Sequence, residues 1–212
     1  MIWLEVLVEG VSDAPTVKEV LERKFLLIEG EHFRIHPHRG KGKLPGNPLR
    51  KPDPTHRGLL DQLPAKLTGY GKSLPTHGVV LVVVDVDKTP CVELLRELNV
   101  MLNTLPSRPK VLFRLAIEET ESWFLADAAA LEKAYPGKLK KKILRGLIPD
   151  AVNGAAETLA RALGLDLPSA GRGIKSDWAR KIAPHLDLEN PPSPSFRKLI
   201  EGVGRLIAHS KA

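Results

Sequence analysis

The sequence predicts an α/β protein, with a parallel sheet of about four strands flanked by helices and a helical C-terminal extension. The first observation is segment 79–84, an unbroken run of six apolar residues, five of them valine. Such a run is typical of a strand buried on both faces. The second is three further apolar segments, at 2–8, 33–36 and 111–117, with helical patterns between them. The third is that helical patterns dominate from about residue 127 onward.

The first half of the chain alternates strands and helices. The strand at 2–8 ends at Glu9-Gly10, and Ser12 or Asp13 is a suitable cap for a helix that runs to about residue 25. A short strand follows at 33–36. A helix is predicted at 59–67, bent or split by Pro64. Two glycines, at positions 69 and 71, then indicate a loop into the strand at 79.

The second half begins with a helix at 91–105 and a strand at 111–117. Residues 1–127 are expected to form the α/β core, and residues 128–212 a helical extension packed on it. Helices in the extension are predicted at 128–134, 139–147, 151–163, 177–182 and 195–208. Trp123 and Phe124 are expected in the core, and the lysines at 138–142 form a basic helical face that is either solvated or part of a nucleic-acid surface.

Length and charge limit the functional class. A chain of 212 residues makes one domain, or one domain and an appendage. A net charge of +7 favours an anionic partner such as nucleic acid, although simple solubility also explains it. The single cysteine, Cys91, excludes an intrachain disulfide and fits a reducing cytoplasm. No apolar run approaches the ~20 residues that span a bilayer, so we expect a cytoplasmic protein without a membrane partner.

Acidic residues follow two of the predicted strands. Glu9 comes directly after the first strand, and Asp85 and Asp87 close the valine-rich one. In extended chain the two aspartates leave the same face, at the sheet edge where open α/β sheets bind ligands. Neighbouring carboxylates repel and favour a hard cation between them, here Mg²⁺ or Mn²⁺. The alternatives are a helix-capping or solvated aspartate, and a loop glutamate paired with a lysine.

A third acidic group follows the strand at 111–117. The sequence there is Glu118-Glu119-Thr120-Glu121, and on a helix Glu118 and Glu121 share one face. Acids in a first helical turn also suit the helix dipole, which is the alternative. Because this is the third acidic strand end, we expect Glu118, and with it Glu121, to bind metal or activate water.

A basic loop follows the second strand. It contains Arg39, Lys41 and Lys43 among glycines, and continues to Arg50 and Lys51. Glycines allow close backbone approach and the cations suit phosphates, so the loop is expected to hold a nucleic-acid backbone. The spacing of a Walker loop is absent. Lys88, beside the aspartates, either steadies a phosphate or offsets the acids. A solvated surface loop is the alternative.

Together these residues resemble the Toprim domain shared by topoisomerases, bacterial primases and the overcoming-lysogenization-defect (OLD) nucleases. The motifs are Glu9-Gly10, the Gly-Lys-Gly-Lys loop at 40–43, Asp85-x-Asp87, the Glu118 block, and a tail at 182–196. The closest resemblance is to a bacterial Toprim-like family of unknown function, often encoded beside an ATPase of the ABC or structural-maintenance type. The chain departs from many Toprim proteins in having no third aspartate shortly after the pair.

The resemblance implies a Toprim-like sheet in which Glu9 is the general acid/base and Asp85 and Asp87 are metal ligands. It also implies a second acidic group, filled by Glu118, Glu119 or Glu121. We therefore expect a Mg²⁺- or Mn²⁺-dependent nuclease acting on DNA or RNA, with an ATPase partner in a defence-type system. The alternatives are a catalytically silent subunit that binds nucleic acid or the ATPase, and a phosphatase with an aspartate nucleophile. The number of metals, the substrate and the oligomeric state stay open.

Overall fold

A computed structural model describes residues 2–87, 90–165 and 173–210 of the chain. In these ranges four parallel strands form one sheet in the order β2–β1–β3–β4. The strands are β1 (Trp3–Val8), β2 (Phe33–Pro37), β3 (Gly78–Asp85) and β4 (Lys110–Ala116). Helices flank the sheet, so the predicted α/β class is confirmed.

Strand β3 lies at the centre and explains the valine run. Val79, Leu81 and Val83 belong to the hydrophobic core on one face of the sheet. Val80, Val82 and Val84 belong to the core on the other face. Because side chains alternate along a strand, only a continuous apolar sequence fills both cores.

The strand register brings the carboxyl ends together. Val8 of β1 is paired with Val83 of β3, and Asp85 of β3 is paired with Ala116 of β4. The residues that follow β1, β3 and β4 therefore emerge at one edge of the sheet. Every acidic segment singled out in the sequence begins there.

The helices of the first half are α1 (Ala14–Glu19), α2 (Leu59–Ser73) and α3 (Cys91–Thr104), and a π-helical turn, Val20–Lys24, continues α1. Helices α2 and α3 cover one face of the sheet through the core that contains Leu63 and Leu98. Helix α1 packs on the opposite face through Val17.

Helix α2 corrects two predictions. It runs unbroken through Pro64 to Ser73, so Pro64 does not split it, and Gly69 and Gly71 are helical instead of forming a loop. A β-carbon at Gly71 would lie 2.6 Å from the backbone nitrogen of Arg108. The glycine thus lets the last turn of α2 pack closely against the segment before β4. Such a tertiary contact cannot be predicted from the helix propensity of the local sequence.

The second half contains six helices within the described residues, all after β4. They are α4 (Glu121–Ala126), α5 (Ala128–Ala134), α6 (Lys141–Leu144), α7 (Ala155–Ala162), α8 (Ile174–Ile182) and α9 (Pro194–Ser210), with a 3-10 turn at Ala183–His185. The predicted helix at 139–147 is wrong in length, since only four of its residues are helical. Glycines with positive φ, Gly137 and Gly146, flank the short helix. The basic residues there therefore do not form an extended helical face.

These later helices share a core with the sheet. Trp123 and Phe124 are buried as predicted, and the Trp123 ring stacks on Phe196 of α9 at 4.9 Å. The indole Nε1 of Trp123 donates to Ser195 Oγ at 2.8 Å, which joins α4 to the start of α9. The Arg114 side chain of β4 donates to the Lys198 carbonyl at 2.8 Å. In the part of the chain that the structure describes, no helix has the length and apolar character to cross a membrane.

Candidate functional site: a carboxylate cluster at the sheet edge

The glutamate after β1 and the aspartate at the end of β3 are in direct contact. The Asp85 backbone N–H donates to the Glu9 carboxylate at 3.0 Å. This contact follows from the register, because β1 and β3 are neighbours and end side by side. The expected convergence of Glu9 and Asp85 is therefore seen in the structure.

Three further acids surround this pair. The charges of Asp13, Glu9, Glu121 and Glu119 all act on Asp85. We call these five residues, Glu9, Asp13, Asp85, Glu119 and Glu121, the carboxylate cluster. They are delivered by the segments that follow β1, β3 and β4, and so by three neighbouring strands.

The pKa values of Glu9 and Asp85 are raised, which indicates that negative charge in the cluster is poorly compensated. Burial, followed by the neighbouring carboxylates, raises the pKa of Asp85 well above its usual range. Burial also raises the pKa of Glu9 to about 7, with the charges of Asp13 and Asp87 adding to it and the Asp85 N–H opposing it. Glu9 and Asp85 are half-buried residues, in contrast to the buried Asp13 and Glu121.

Lys175 of α8 supplies a cation to the inner part of the cluster. Its Nζ lies 2.7 Å from Glu119 Oε1 and 3.6 Å from Glu121 Oε2. Glu121 is only 2% exposed. Burial raises the pKa of Glu121 to about 7 despite the neighbouring ammonium, and the surrounding acids raise the pKa of Lys175 against the opposing effect of its own burial.

Asp13 is held by two neutral donors. The Thr120 hydroxyl donates to Asp13 Oδ1 at 2.9 Å, and the Gly10 N–H donates to Oδ2 at 2.8 Å. Burial raises the pKa of the Asp13 carboxyl, and these hydrogen bonds oppose the rise. Asp13 thereby ties the segment after β1 to the segment after β4.

Glu118 takes a different role from its neighbours. Its carboxylate accepts the Gly154 N–H at 2.9 Å, at the start of α7. Glu119 also reaches this helix, accepting the Ala156 N–H at 3.3 Å. Carboxylates at a helix N-terminus satisfy free N–H groups and suit the dipole. Glu118 therefore faces α7, while Glu119 is shared between α7 and Lys175.

Asp87 does not share the face of Asp85 in the manner predicted. Strand β3 ends at Asp85, and Asp87 has a left-handed backbone with φ of 51°. The alternation of an extended chain therefore stops before Asp87, and that part of the prediction is wrong. Its exposed carboxylate accepts the Lys41 ammonium at 2.8 Å, although its charge still acts on Glu9.

The basic loop is docked beside the cluster. Lys41 donates to the Val86 carbonyl at 2.9 Å as well as to Asp87. The Gly40 N–H donates to the Glu9 carbonyl at 3.0 Å. Asp61 of α2 fastens the other end by accepting the N–H groups of Lys43 and Gly58, each at 3.1 Å. The loop is thus fixed between β1, β3 and the start of α2.

The remaining predicted cations extend away from Lys41. Arg39, Lys43, Arg50 and Lys51 are exposed, and the last three line a cavity of about 690 Å³ beside α2. This cavity also contains Asp53 and Asp61, so its charge is mixed. Lys88 lies outside the described residues.

The donor set fits a hard divalent cation in chemistry. Carboxylate oxygens are the ligands that Mg²⁺ and Mn²⁺ prefer, and mutual repulsion among the five acids favours a cation. Within 2–87, 90–165 and 173–210, no three Asp, Glu, His or Cys side chains already converge as a ligand set. Binding an ion would therefore require side chains such as Asp85 to rotate toward it.

Two residues of this site were missed by sequence reasoning. Asp13 was considered only as a helix cap, although its position four residues after Glu9 was a usable signal. Lys175 carried no signal, because it lies on a helix of the C-terminal half, far along the chain from every acid it contacts. Only the packing of α8 brings it to the sheet edge.

Comparison with known proteins gives a family without an assigned activity. The model of the family described as "Domain of unknown function (DUF4276)" matches residues 8–204, a range that contains the whole carboxylate cluster. No curated protein and no solved structure matches the chain.

Proposed function

We infer that this chain, which belongs to the DUF4276 family, is a divalent-metal-dependent nuclease that hydrolyses phosphodiester bonds in DNA or RNA. One observation carries the proposal: carboxylates from three strand ends meet beside a docked basic loop, with Glu9 in contact with Asp85. An acidic site that holds cations, next to a basic surface that holds phosphates, is the combination that phosphodiester hydrolysis needs.

Asp85, with Asp87 at the margin, would hold Mg²⁺ or Mn²⁺, and Glu9 would lie beside the ion without binding it. Such an ion supplies Lewis acidity to a phosphate oxygen and makes a coordinated water more acidic. The acids themselves supply fixed negative charge and, at Glu9, a proton acceptor. Glu118 and Glu119 would hold the start of α7 against the site by accepting its N–H groups. Glu119 and Glu121 would hold the Lys175 ammonium.

Glu9 is suited to move the proton. A group with pKa of about 7 is half-deprotonated at neutral pH, which is the optimum for a general base. In the proposed step a water oxygen adds to phosphorus, its proton passes to Glu9, and the bond from phosphorus to the leaving oxygen breaks. The proton on Glu9 then returns to the leaving oxygen or to solvent.

The basic loop would position the substrate. Lys41 sits at the cluster, and Arg39, Lys43, Arg50 and Lys51 continue the positive surface outward. Contacts of this kind bind the sugar-phosphate backbone and carry little sequence information. We therefore propose cleavage without strong sequence preference.

The deciding experiment is a cleavage assay on single- and double-stranded DNA and RNA with Mg²⁺ or Mn²⁺. Wild-type protein should cut at least one substrate, and chelation or Asp85→Asn should abolish the activity. Asp177→Asn, the same change at an exposed position on α8, is the matched control and should cut normally. Equal cleavage by Asp85→Asn and wild type would refute the proposal.

A second candidate is a catalytically silent subunit that binds nucleic acid or an ATPase of the ABC or structural-maintenance type. The observation that favours it is the Lys175 ammonium, which already neutralises part of the cluster. Such a subunit would bind nucleic acid without cutting it, and titration with Mn²⁺ would release no heat. An ATPase partner and a defence role are also compatible with the nuclease, and are proposed from the Toprim resemblance alone.

A further inference from the structure

The positive charge of Lys175 is built into the fold. Helix α8 (Ile174–Ile182) is anchored by Trp178, Ala179 and Ile182, which are almost completely buried in the main core. Lys175 projects from the first turn of this helix toward the sheet edge, and its side chain is 37% exposed. A helix anchored in the core thus delivers the ammonium to the carboxylate cluster.

The two halves of the cluster are compensated unequally. In the inner half, Glu119 and Glu121 have Lys175, and Asp13 has Thr120 and Gly10 as donors. In the outer half, Glu9 accepts one backbone N–H and is affected by the charge of Lys41, whose ammonium contacts Asp87. The charges of Lys175 and Asp85 also act on each other, but the Lys175 ammonium contacts Glu119 and Glu121. Among the residues that the structure describes, none donates a hydrogen bond to the Asp85 carboxylate.

This inequality bears on how many ions the site can hold. Two divalent ions in a phosphodiesterase lie about 3.5–4 Å apart, and each takes its own carboxylate ligands. Glu119 and Glu121 are the acids of the inner half that could serve a second ion, and the ammonium lies between them. A divalent ion and an ammonium cannot share that position, because they would repel at contact distance.

We propose that the Lys175 ammonium takes the place of a second divalent ion, so that the cluster binds one ion, at Asp85 and beside Glu9. The inference rests on the proposed metal-dependent function and specifies its stoichiometry. The inner half then has a permanent positive charge supplied by the protein, while the outer half depends on metal supplied from solution.

The test is Mn²⁺ titration of the intact chain without nucleic acid, followed by calorimetry and by the electron paramagnetic resonance signal of free Mn²⁺. Wild type should bind one Mn²⁺ per chain. Lys175→Met, which keeps much of the length and removes the charge, should bind two, and Lys175→Arg should bind one. Lys181→Met, on the same helix but over the Tyr135 ring, is the control and should bind one.

The outcomes separate this inference from the function itself. Two Mn²⁺ on wild type would overturn the inference and leave a metal-dependent nuclease standing. One Mn²⁺ on both wild type and a folded Lys175→Met would also overturn it. No Mn²⁺ on wild type would overturn both the inference and the proposed function. Wild type alone decides between one, two and none. Lys175→Met, with Lys175→Gln as a second charge-removing variant, decides whether Lys175 sets that number.

Discussion

Two glutamates of the cluster have a pKa raised to the same value but differ in exposure and in the groups they contact. Glu9 and Glu121 both reach about 7, mainly through burial. Glu9 is half-buried, so its carboxylate can exchange a proton with solvent or with a bound substrate. It also accepts the Asp85 backbone N–H. Glu121 is almost completely buried and lies beside Lys175. Its ionisation therefore affects the stability of the fold and the electrostatic field inside the cluster.

Glu9→Gln should impair catalysis with little effect on folding. Glutamine keeps an oxygen that can accept the Asp85 N–H, but it cannot take a proton. Loss of a general base typically costs about 10²- to 10⁴-fold in rate. In the wild type, kcat should rise with pH as Glu9 loses its proton, and in Glu9→Gln this rise should disappear. An unchanged pH profile in the variant would show that another group accepts the proton.

Glu121 should make the metal-free protein less stable as pH rises. Its pKa is raised from 4.5 to about 7, so the folded state holds a proton that the unfolded state releases between those values. The free energy of unfolding therefore falls from pH 4.5 to pH 7. Glu121→Gln should remove part of this fall and stabilise the protein at pH 8 by roughly 1–3 kcal/mol.

Chemical denaturation of both forms in chelator at pH 5, 6, 7 and 8 measures this effect. The two stability curves should separate progressively above pH 5. Curves that stay parallel over the whole range would contradict the role assigned to Glu121. Glu132→Gln, at a half-exposed acid paired with Lys141 and outside the cluster, serves as the control.

The sequence revealed the acids of the site better than their surroundings. Glu9 and Asp85 were predictable because each follows an apolar strand, and parallel strands end at one edge. The side chain of Asp87 was predicted on the wrong face because its backbone is left-handed. An aspartate at that position does not indicate this conformation as a glycine would. Lys175 was missed because its contacts depend on how α8 packs, which no local pattern encodes.

At the level of elements, the Gly-Lys-Gly-Lys loop is a rigid connection between the sheet edge and α2. Gly42 has φ of 67°, and a β-carbon there would collide with the Asp61 carboxylate. Asp61 in turn accepts the Lys43 and Gly58 N–H groups. The glycine is therefore needed both for its backbone conformation and for the close approach of α2.

Gly42→Ala should disturb this loop. A non-glycine residue in a left-handed conformation costs about 1–3 kcal/mol, and the displaced Asp61 would release the Lys43 backbone. We expect lower thermal stability and weaker nucleic-acid binding. Gly46→Ala is the matched control, because a β-carbon there meets nothing within 4 Å and its φ is not left-handed. Equal effects of the two substitutions would show that Asp61 does not fasten the loop.

The molecule as a whole is positively charged, but one edge of its sheet is acidic. The net charge is +7, while five carboxylates gather at one sheet edge. The cations of the basic loop lie between that edge and the surface beside α2. Nucleic-acid affinity should therefore come mainly from phosphate contacts with the loop.

The affinity should fall linearly with salt on logarithmic axes. Each phosphate contact removed lowers the slope by about 1, so Lys43→Ala, Arg50→Ala and Lys51→Ala should each do so. Lys72→Ala, which removes the same charge from the far end of α2, should leave the slope unchanged. Fluorescence anisotropy in chelator measures this without cleavage. Equal slopes for all variants would place the binding surface elsewhere.

The sheet was the most predictable part of the whole molecule. The valine run could be read as a central strand because only a strand between two cores needs apolar side chains on both faces. The ends of α2 and α6 were not predictable. Helix α2 continues past two glycines because Gly71 packs closely against the segment before β4, and α6 stops after one turn between Gly137 and Gly146.

Anomalous diffraction from a crystal soaked in Mn²⁺ would locate a bound ion directly. We expect the cluster at the sheet edge to bind a divalent ion at Asp85, beside Glu9. We expect one anomalous peak there, with carboxylate oxygens at about 2.1 Å, the distance typical of small divalent cations. A well-ordered soaked crystal with no peak at these carboxylates, or with a peak only elsewhere, would contradict the account.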